Sequence, residues 1–151
     1  MAVFTELEYT PTAAIAAIES LPAVLENRPG TEALNDCRSI LLQDVSEHFS
    51  SKTGSDGTPW PARKNLKQTH PLLILSSLLF QSATGNAAGR IDRVTDRDLT
   101  FGVDKGMVPY AGVHQHGFGN IPQREYLWVS DEAEESCAEK VAEHVQRNLF
   151  G

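Results

Sequence analysis

Two histidines one residue apart, His114 and His116, are the residues whose types and spacing come closest to suggesting chemistry. On a β-strand, alternate residues face the same side, so the two rings could serve as metal ligands, with His70 as a third. No HExxH motif, no carboxylate at ligand spacing and no neighbouring cysteine accompany them. The more ordinary interpretation is a tight turn in which one ring hydrogen-bonds to the backbone and the other is exposed. A metal-dependent enzyme using His114 and His116 is therefore a minor alternative, and we expect no bound metal.

Other catalytic arrangements have no support in the sequence. No serine lies in a GxSxG motif, and neither cysteine has a protease signature. Residues 112–119 lack the Walker lysine and the GxGxxG order of phosphate-binding loops. The acidic pair Glu134–Glu135 falls on a predicted helix surface, where solvation is the ordinary explanation. The sequence predicts no catalytic residue, no cofactor and no enzymatic activity.

The two histidines belong to a distinctive segment, residues 107–130, which holds two of the three tyrosines and one of the two tryptophans. Pro109 and Pro122 fix its backbone and remove two donors. Three glycines, Gly112, Gly117 and Gly119, permit turns that other residues resist. The segment therefore predicts a rigid, turn-rich connector between a hairpin and the last helix.

Two amphipathic helices are predicted, one before and one after the middle of the chain, because apolar residues recur there at helical spacing. Over 31–49 these residues are Leu34, Cys37, Leu41 and Val45, with His48 at the helix edge; over 131–149 they are Ala133, Cys137, Val141, Val145 and Leu149. Ser130 or Asp131 is expected to cap the second helix, with Asp131 and Glu134 in a capping box. A further helix at about 11–27 is expected to be peripheral.

The middle of the chain predicts a β-hairpin at about 88–103, since Leu99, Phe101 and Val103 alternate. Its strand 90–93 is polar enough for an edge or a pore-facing surface. The apolar window 71–80 is expected to be a short helix. The fold class is therefore α+β: one domain, residues 1–151, with a small, mostly antiparallel sheet (the hairpin plus further short strands) packed by N-terminal and C-terminal helices.

Residues 50–70 predict a long loop anchored by Trp60, which either covers an edge of the core or docks on a neighbouring subunit. Arg63, Lys64 and Lys67 follow this tryptophan. A solvated surface is the default for them, and contact with DNA or with an acidic partner is the alternative. A DNA-binding module using these three residues predicts an affinity that falls with salt.

Charge and composition limit the partners of the chain. The formal net charge is −7, but residues 52–110 carry +3 while residues 1–51 and 111–151 carry −6 and −4. An acidic whole argues against broad coating of nucleic acid. Cys37 and Cys137 have no metal-type spacing and are expected to be reduced and buried. No signal peptide and no apolar window near the roughly 20 residues of a membrane span are visible, so we expect a cytoplasmic protein without a membrane partner.

The order of several short motifs resembles the virion morphogenesis family of tailed bacteriophages. The motifs are Gly57-Thr58-Pro59-Trp60, the apolar pairs Ile74-Leu75 and Leu78-Leu79 followed by Ser82, the strand Leu99–Val103, the turn Tyr110-Ala111-Gly112-Val113-His114-Gln115-His116-Gly117, and the segment Ile121-Pro122-Gln123-Arg124-Glu125-Tyr126-Leu127. The likeness covers roughly residues 31–150. The chain departs from the family pattern at Ser76-Ser77, where the family has Thr-Gly, and at Gln123, Glu125 and Tyr126, where it has a small residue, proline and phenylalanine.

This resemblance implies a non-enzymatic virion protein: a tail-terminator or tail-completion subunit that forms a ring, expected to be a hexamer, at the head-proximal end of the tail. The implied partners are further copies of the chain, the tail tube, the sheath if the tail is contractile, head-completion or neck proteins, and DNA passing through the lumen. The implied location is the virion, and the host cytoplasm during assembly. A head-completion or neck connector is the alternative of the same class.

Seven residues are expected to shape the connector or its interfaces, from their types and positions: Trp60, Tyr110, His114, Gln115, Arg124, Tyr126 and Trp128. Arg63, Lys64 and Lys67 are expected to contact DNA or an acidic partner. Arg124 is expected to pair with a carboxylate, either Glu125 of another subunit or one on the acidic C-terminal helix.

Overall fold

The computed structural model describes residues 6–9, 30–69, 72–74, 77–85, 87–96 and 98–150. For residues 6–9 and 148–150 only the backbone is described. The predicted helix at 11–27 and His70 lie outside the described residues, as do Leu75, Ser76 and Arg97.

Seven elements make up the described part of the chain, and they confirm the α+β class. In order they are strand β1 (Glu6–Tyr9), helix α1 (Gly30–Ser51), helix α2 (Leu78–Thr84), strand β2 (Arg90–Val94), strand β3 (Leu99–Val103), helix α3 (Ala111–His116) and helix α4 (Asp131–Phe150). The sheet order is β1-β3-β2 with both pairs antiparallel. The predicted hairpin is β2–β3, in which Arg90 pairs with Val103 and Val94 with Leu99.

The two long helices pack against each other along the predicted apolar stripes. On α1, Leu34, Cys37, Leu41 and Val45 are buried, and on α4, Ala133, Cys137 and Val141 are buried. Each cysteine is fully buried with its thiol near the other's carbonyl, at 3.6 Å for Cys37 Sγ and 3.9 Å for Cys137 Sγ. The two act as small apolar residues at the centre of the helix contact, as their spacing predicts.

Strand β2 is an edge strand, as its polarity predicts, and its charges are tied to α1. Arg38 of α1 donates from Nε to both Asp92 oxygens at 2.9 and 2.8 Å, and Arg90 donates to Asp92 Oδ2 from Nε and Nη2. Burial pushes the pKa of Asp92 up, but the two guanidiniums more than offset this and hold it below its ordinary value. The Arg38–Asp92 pair fixes the hairpin to α1, and Arg90 holds the Asp92 carboxylate in place.

Two local predictions were wrong. The helix expected over 71–80 instead begins at Leu78 and runs on to Thr84, because Leu73 and Ser77 have φ of 64° and 61°, outside the right-handed helical region. The segment 107–130 contains a short helix, α3, and Gly112 lies inside it rather than in a turn. His114 and His116 are therefore about 200° apart around a helix, and the expectation that they face one side of a strand was wrong.

The start of α4 is capped by Ser130. Its Oγ accepts a hydrogen bond from Ala133 N at 3.2 Å, and its carbonyl accepts from Glu134 N at 2.9 Å. Since Ser130 holds the capping position, Ala133 and not Glu134 is the third helical residue. The predicted cap is confirmed at Ser130, while the Asp131–Glu134 box is not formed. Among the described residues, no helix is long and apolar enough to cross a bilayer.

Candidate assembly interface

The predicted connector, residues 107–130, includes α3. From here on we use the name connector only for its part after α3, residues 117–130, which crosses the surface formed by α1, α3 and the loop 52–69. It has no regular secondary structure beyond a bridge between Phe118 and Ile121. Its backbone groups must therefore find partners outside a helix or sheet ladder. Several of the residues that sequence analysis singled out supply those partners.

Gln115 of α3 is buried and binds the middle of the connector. Its amide nitrogen donates to Leu127 O at 2.8 Å, and its amide oxygen accepts from Tyr126 N at 3.1 Å and Leu127 N at 2.9 Å. One side chain thus satisfies three backbone groups of an extended segment, as a neighbouring strand would. This arrangement fixes the connector against α3.

Trp60 fixes the loop to the connector. It is buried, its indole Nε1 donates to Glu125 O at 2.9 Å, and its ring packs edge-on against Phe49 at 5.8 Å. The carboxylate of Glu125 in turn accepts from Ser55 N at 3.1 Å and from Ser55 Oγ at 2.7 Å. In the single chain Trp60 therefore covers an edge of the core, and a contact with a neighbouring subunit stays a prediction.

Arg124 is buried, and its partners are carbonyls of its own chain. Its Nε donates to Pro61 O at 2.9 Å and its Nη2 to Ala62 O at 3.2 Å, while its backbone N donates to His114 O at 2.7 Å. Burial, with the nearby charge of Arg63, lowers the pKa of Arg124. The guanidinium binds the loop and not the C-terminal helix, where a carboxylate partner was expected.

Tyr126 is the largest fully buried side chain of the described residues. Its hydroxyl donates to Ala111 O at 3.3 Å, and burial raises its pKa above the ordinary value. A neutral tyrosine that spans the core from connector to α3 is a packing residue. It has no exposed group with which to contact a partner.

His48, Asp44 and Ser130 lie together under Trp128. The His48 and Trp128 rings stack at 3.7 Å, and His48 Nδ1 donates to Tyr126 O at 3.1 Å. Asp44 accepts from Ser130 Oγ at 2.6 Å and Ser130 N at 2.9 Å, and its Oδ2 lies 3.5 Å from His48 Nε2. Burial acts to raise the pKa of Asp44, but the nearby imidazole of His48 and the bonds from Ser130 leave it below its ordinary value.

The order of these three residues is wrong for a hydrolase. In a serine triad the imidazole lies between hydroxyl and carboxylate, so that it can take the proton of the serine. Here the carboxylate lies between, and Ser130 donates to Asp44 and caps α4. The cluster fixes the end of the connector to α1 and places no activated nucleophile at the surface.

His114 packs in the base of the connector. Its ring makes an edge contact with Tyr110 at 6.0 Å, and its Nδ1 is buried without a hydrogen-bond partner in the described part of the chain. Burial, with the nearby Arg124 charge, lowers the pKa of His114. His116 is exposed. Within the described ranges no three His, Cys, Asp or Glu residues are arranged to hold a metal ion.

At the start of the connector, large apolar side chains are exposed. We call Phe118 and Ile121 the apolar tip; they are 66% and 43% exposed. Phe118 and Ile121 exchange backbone bonds of 3.0 and 2.9 Å across a tight turn. The turn needs Gly119, at φ 56°, and Gly117, at φ 77°, where a Cβ would meet Gln123 N at 3.0 Å.

Of the three predicted basic residues, Lys64 contacts this tip. Lys64 Nζ donates to Asn120 O in the turn at 3.4 Å, and Arg63 Nη1 donates to Gln68 O at 3.0 Å. Leu66 and Lys67 lie in the tight turn of residues 65–68, in which Lys67 N donates to Asn65 Oδ1 at 3.1 Å. The loop thus presents positive charge beside exposed apolar groups.

A groove of about 600 Å³ lies along α1 and the beginning of α4. We call it the acidic groove; its lining includes Ile40, Glu47, His48, Trp128, Glu132 and Ala133. Among the described residues that line it, none is a lysine or an arginine. Two buried nitrogens of its lining residues, His48 Nε2 and Trp128 Nε1, have no hydrogen-bond partner in the described part of the structure.

The residues that sequence analysis expects at an interface differ in how far they are available for contact. Trp60, Gln115, Arg124 and Tyr126 are buried within the chain, whereas Tyr110 stays partly exposed. The apolar tip was not predicted. Its only sequence signal is Phe118 between two glycines, a large apolar residue in a position that favours a turn tip.

The fold and this surface define a class of protein: a small α+β domain in which buried polar side chains hold an irregular connector against α1 and α3. A family model described as the phage virion morphogenesis family matches residues 16–146. The chain belongs to that family. Neither the curated proteins nor the solved structures contain a significant match to it.

Proposed function

We propose that this protein is a structural subunit of the phage tail, a tail terminator or tail-completion protein that assembles as a ring at the head-proximal end. The family gives a role in virion morphogenesis. The finer assignment rests on the motif order of the connector and on its rigid presentation of an apolar tip.

The observation that carries a role in assembly is the exposure of Phe118 on a fixed base. A monomer gains stability by burying such a side chain, by about 1.5–3 kcal/mol. Here two backbone hydrogen bonds close the turn, and Arg124, three residues after the turn, binds the loop through Pro61 O and Ala62 O. An exposed apolar residue on a rigid support is typical of a surface that another protein covers.

Deleting the gene from its phage and restoring it on a plasmid tests the proposed function. Electron microscopy of lysates would measure tail length and the fraction of heads with tails. A terminator predicts overlong tails and unjoined heads in the deletion, and restoration by the wild-type gene. Normal-length tails beside unjoined heads would instead identify a neck connector. Infective particles of normal form without the protein would refute a structural role.

A substitution at the tip links that phenotype to the surface. Phe118→Asp is expected to reproduce the deletion, whereas Met107→Asp, which also places a charge on an exposed apolar residue, is expected to restore normal tails. Both variants should melt like wild type, because both side chains are largely exposed.

A further inference from the structure

We infer that the apolar tip of one copy docks in the acidic groove of the next copy, so that identical chains associate head to tail. The inference rests on the proposed ring and assigns the two surfaces that build it. Each surface is set by contacts within one chain, and the two have no residue in common.

The first surface is prepared for docking before any partner arrives. Gly119 and the Phe118–Ile121 bonds fix the turn, and Lys64 binds the turn through Asn120 O. Arg124 binds the loop two residues before Lys64. Little conformational entropy is therefore lost when the tip is covered, which favours binding.

The second surface is complementary in shape and in charge. Its volume of about 600 Å³ is within the range of clefts that bind small molecules, and it therefore has room for the side chains of the tip. Ile40, Trp128 and Ala133 give it apolar walls, and Glu47 and Glu132 give it a negative rim. The tip is the reverse pattern, an apolar centre with Lys64 bonded to its turn through Asn120 O.

Charge complementarity identifies the occupant as a second copy. The chain is acidic overall, and its basic residues are concentrated in the middle third. The charge of Lys64 at the tip is attracted to the acidic groove of another copy, whereas two tips or two grooves repel each other. Because the two surfaces differ, every open row of bound copies leaves one tip free at one end and one groove free at the other, and both are filled only when a ring closes.

Disulfide trapping of the full-length protein tests this contact. Ile121→Cys places a thiol on the tip and Gln43→Cys places one in the groove; both wild-type residues are exposed. The native thiols, Cys37 and Cys137, are buried and do not compete. We expect a chain carrying both new cysteines to give a ladder of cross-linked oligomers under mild oxidation.

Mixing the two single variants gives the decisive result. One chain then offers only a reactive tip and the other only a reactive groove, so we expect a cross-linked heterodimer and nothing larger. Adding Phe118→Asp to the tip variant should slow the cross-link by about tenfold or more, as for an interface anchor. Glu139→Cys, on the exposed side of α4 outside the groove, is the control position and should give no faster cross-linking with the tip than two random surface thiols.

Several outcomes would overturn the inference. One is a tip–groove cross-link no faster than the tip–Glu139 control. Another is rapid homodimer formation by either single variant, since that indicates a symmetric contact. A wild-type chain that stays monomeric in sedimentation up to about 1 mM has a contact weaker than roughly 4 kcal/mol and also overturns it. Salt-sensitive DNA binding that Lys64→Glu abolishes, with cross-linking absent, would assign the basic surface to DNA instead. None of these results changes the tail phenotype of the deletion, so the proposed function is judged separately.

Discussion

Replacing Gln115 with leucine tests whether this one side chain holds the connector in place. Leucine is of similar size to glutamine, but it has no polar group, so the substitution removes the hydrogen-bond partners of Leu127 O, Tyr126 N and Leu127 N. A buried backbone group without a partner costs about 1–3 kcal/mol. Because the connector can shift to give part of this set access to water, we expect a loss of about 3–5 kcal/mol in the free energy of unfolding, against a typical total of about 5–15 kcal/mol.

Two further variants make this test specific. Gln123→Leu is the same substitution at an exposed position with one bond, from Nε2 to Gln115 O at 3.1 Å, and should cost less than about 1 kcal/mol. Gln115→Glu keeps an acceptor for the two N–H groups but places a second oxygen against Leu127 O. Its loss should lie between those of the two leucine variants at neutral pH.

Urea denaturation followed by tryptophan fluorescence measures all three variants, since Trp60 and Trp128 both report on the connector. The slope of the free energy with urea should stay constant, so that the midpoint gives the change in stability. If Gln115→Leu loses no more stability than Gln123→Leu, the hydrogen bonds of Gln115 are not what fixes the connector, and the reasoning fails.

Three other substitutions test the remaining anchors. Asp44→Asn should cost about 1–3 kcal/mol in the free energy of unfolding at pH 7. Because the pKa of Asp44 in the folded protein lies below its ordinary 3.8, its contribution to stability is present above about pH 4 and is lost as the pH falls through the lower value. The urea midpoint of the variant should therefore fall less than that of wild type on acidification. Trp60→Phe keeps an aromatic ring but loses the bond to Glu125 O and part of the packing, and a loss below about 0.5 kcal/mol in thermal melting would contradict this account. Arg124→Lys replaces the two nitrogens that bind the two loop carbonyls with a single ammonium, so trypsin should cut the loop several-fold faster than in wild type, and an unchanged rate would show that the loop is held by other contacts.

The helices and the hairpin were predictable because their residues repeat with the period of the element. The spacing of Leu34, Cys37, Leu41 and Val45 predicts one buried face of the helix, whatever elements later pack against it. The same holds for the alternation of Leu99, Phe101 and Val103 in β3. The segment 71–80 has no such period, and its helix starts late because Leu73 and Ser77 take a backbone conformation that the sequence does not mark.

The candidate interface was only partly predictable. The sequence indicates that residues 107–130 form a special segment, since prolines and glycines restrict its backbone. It does not indicate which polar side chains reach inward. Gln115 and Arg124 look like surface residues, yet both are buried because backbone carbonyls and amides of a distant segment need them.

The sequence by itself determined the fold class, the two packing helices and the family, because periodicity and motif order are properties of the chain alone. Only the tertiary structure decided which side of the connector is available to a partner. Trp60 and Tyr126, the aromatic residues that suggest contact, are buried against α1 and α3, while Phe118 and Leu66 are exposed. Exposure depends on what the rest of the chain covers, and this is fixed by contacts between residues far apart in the sequence.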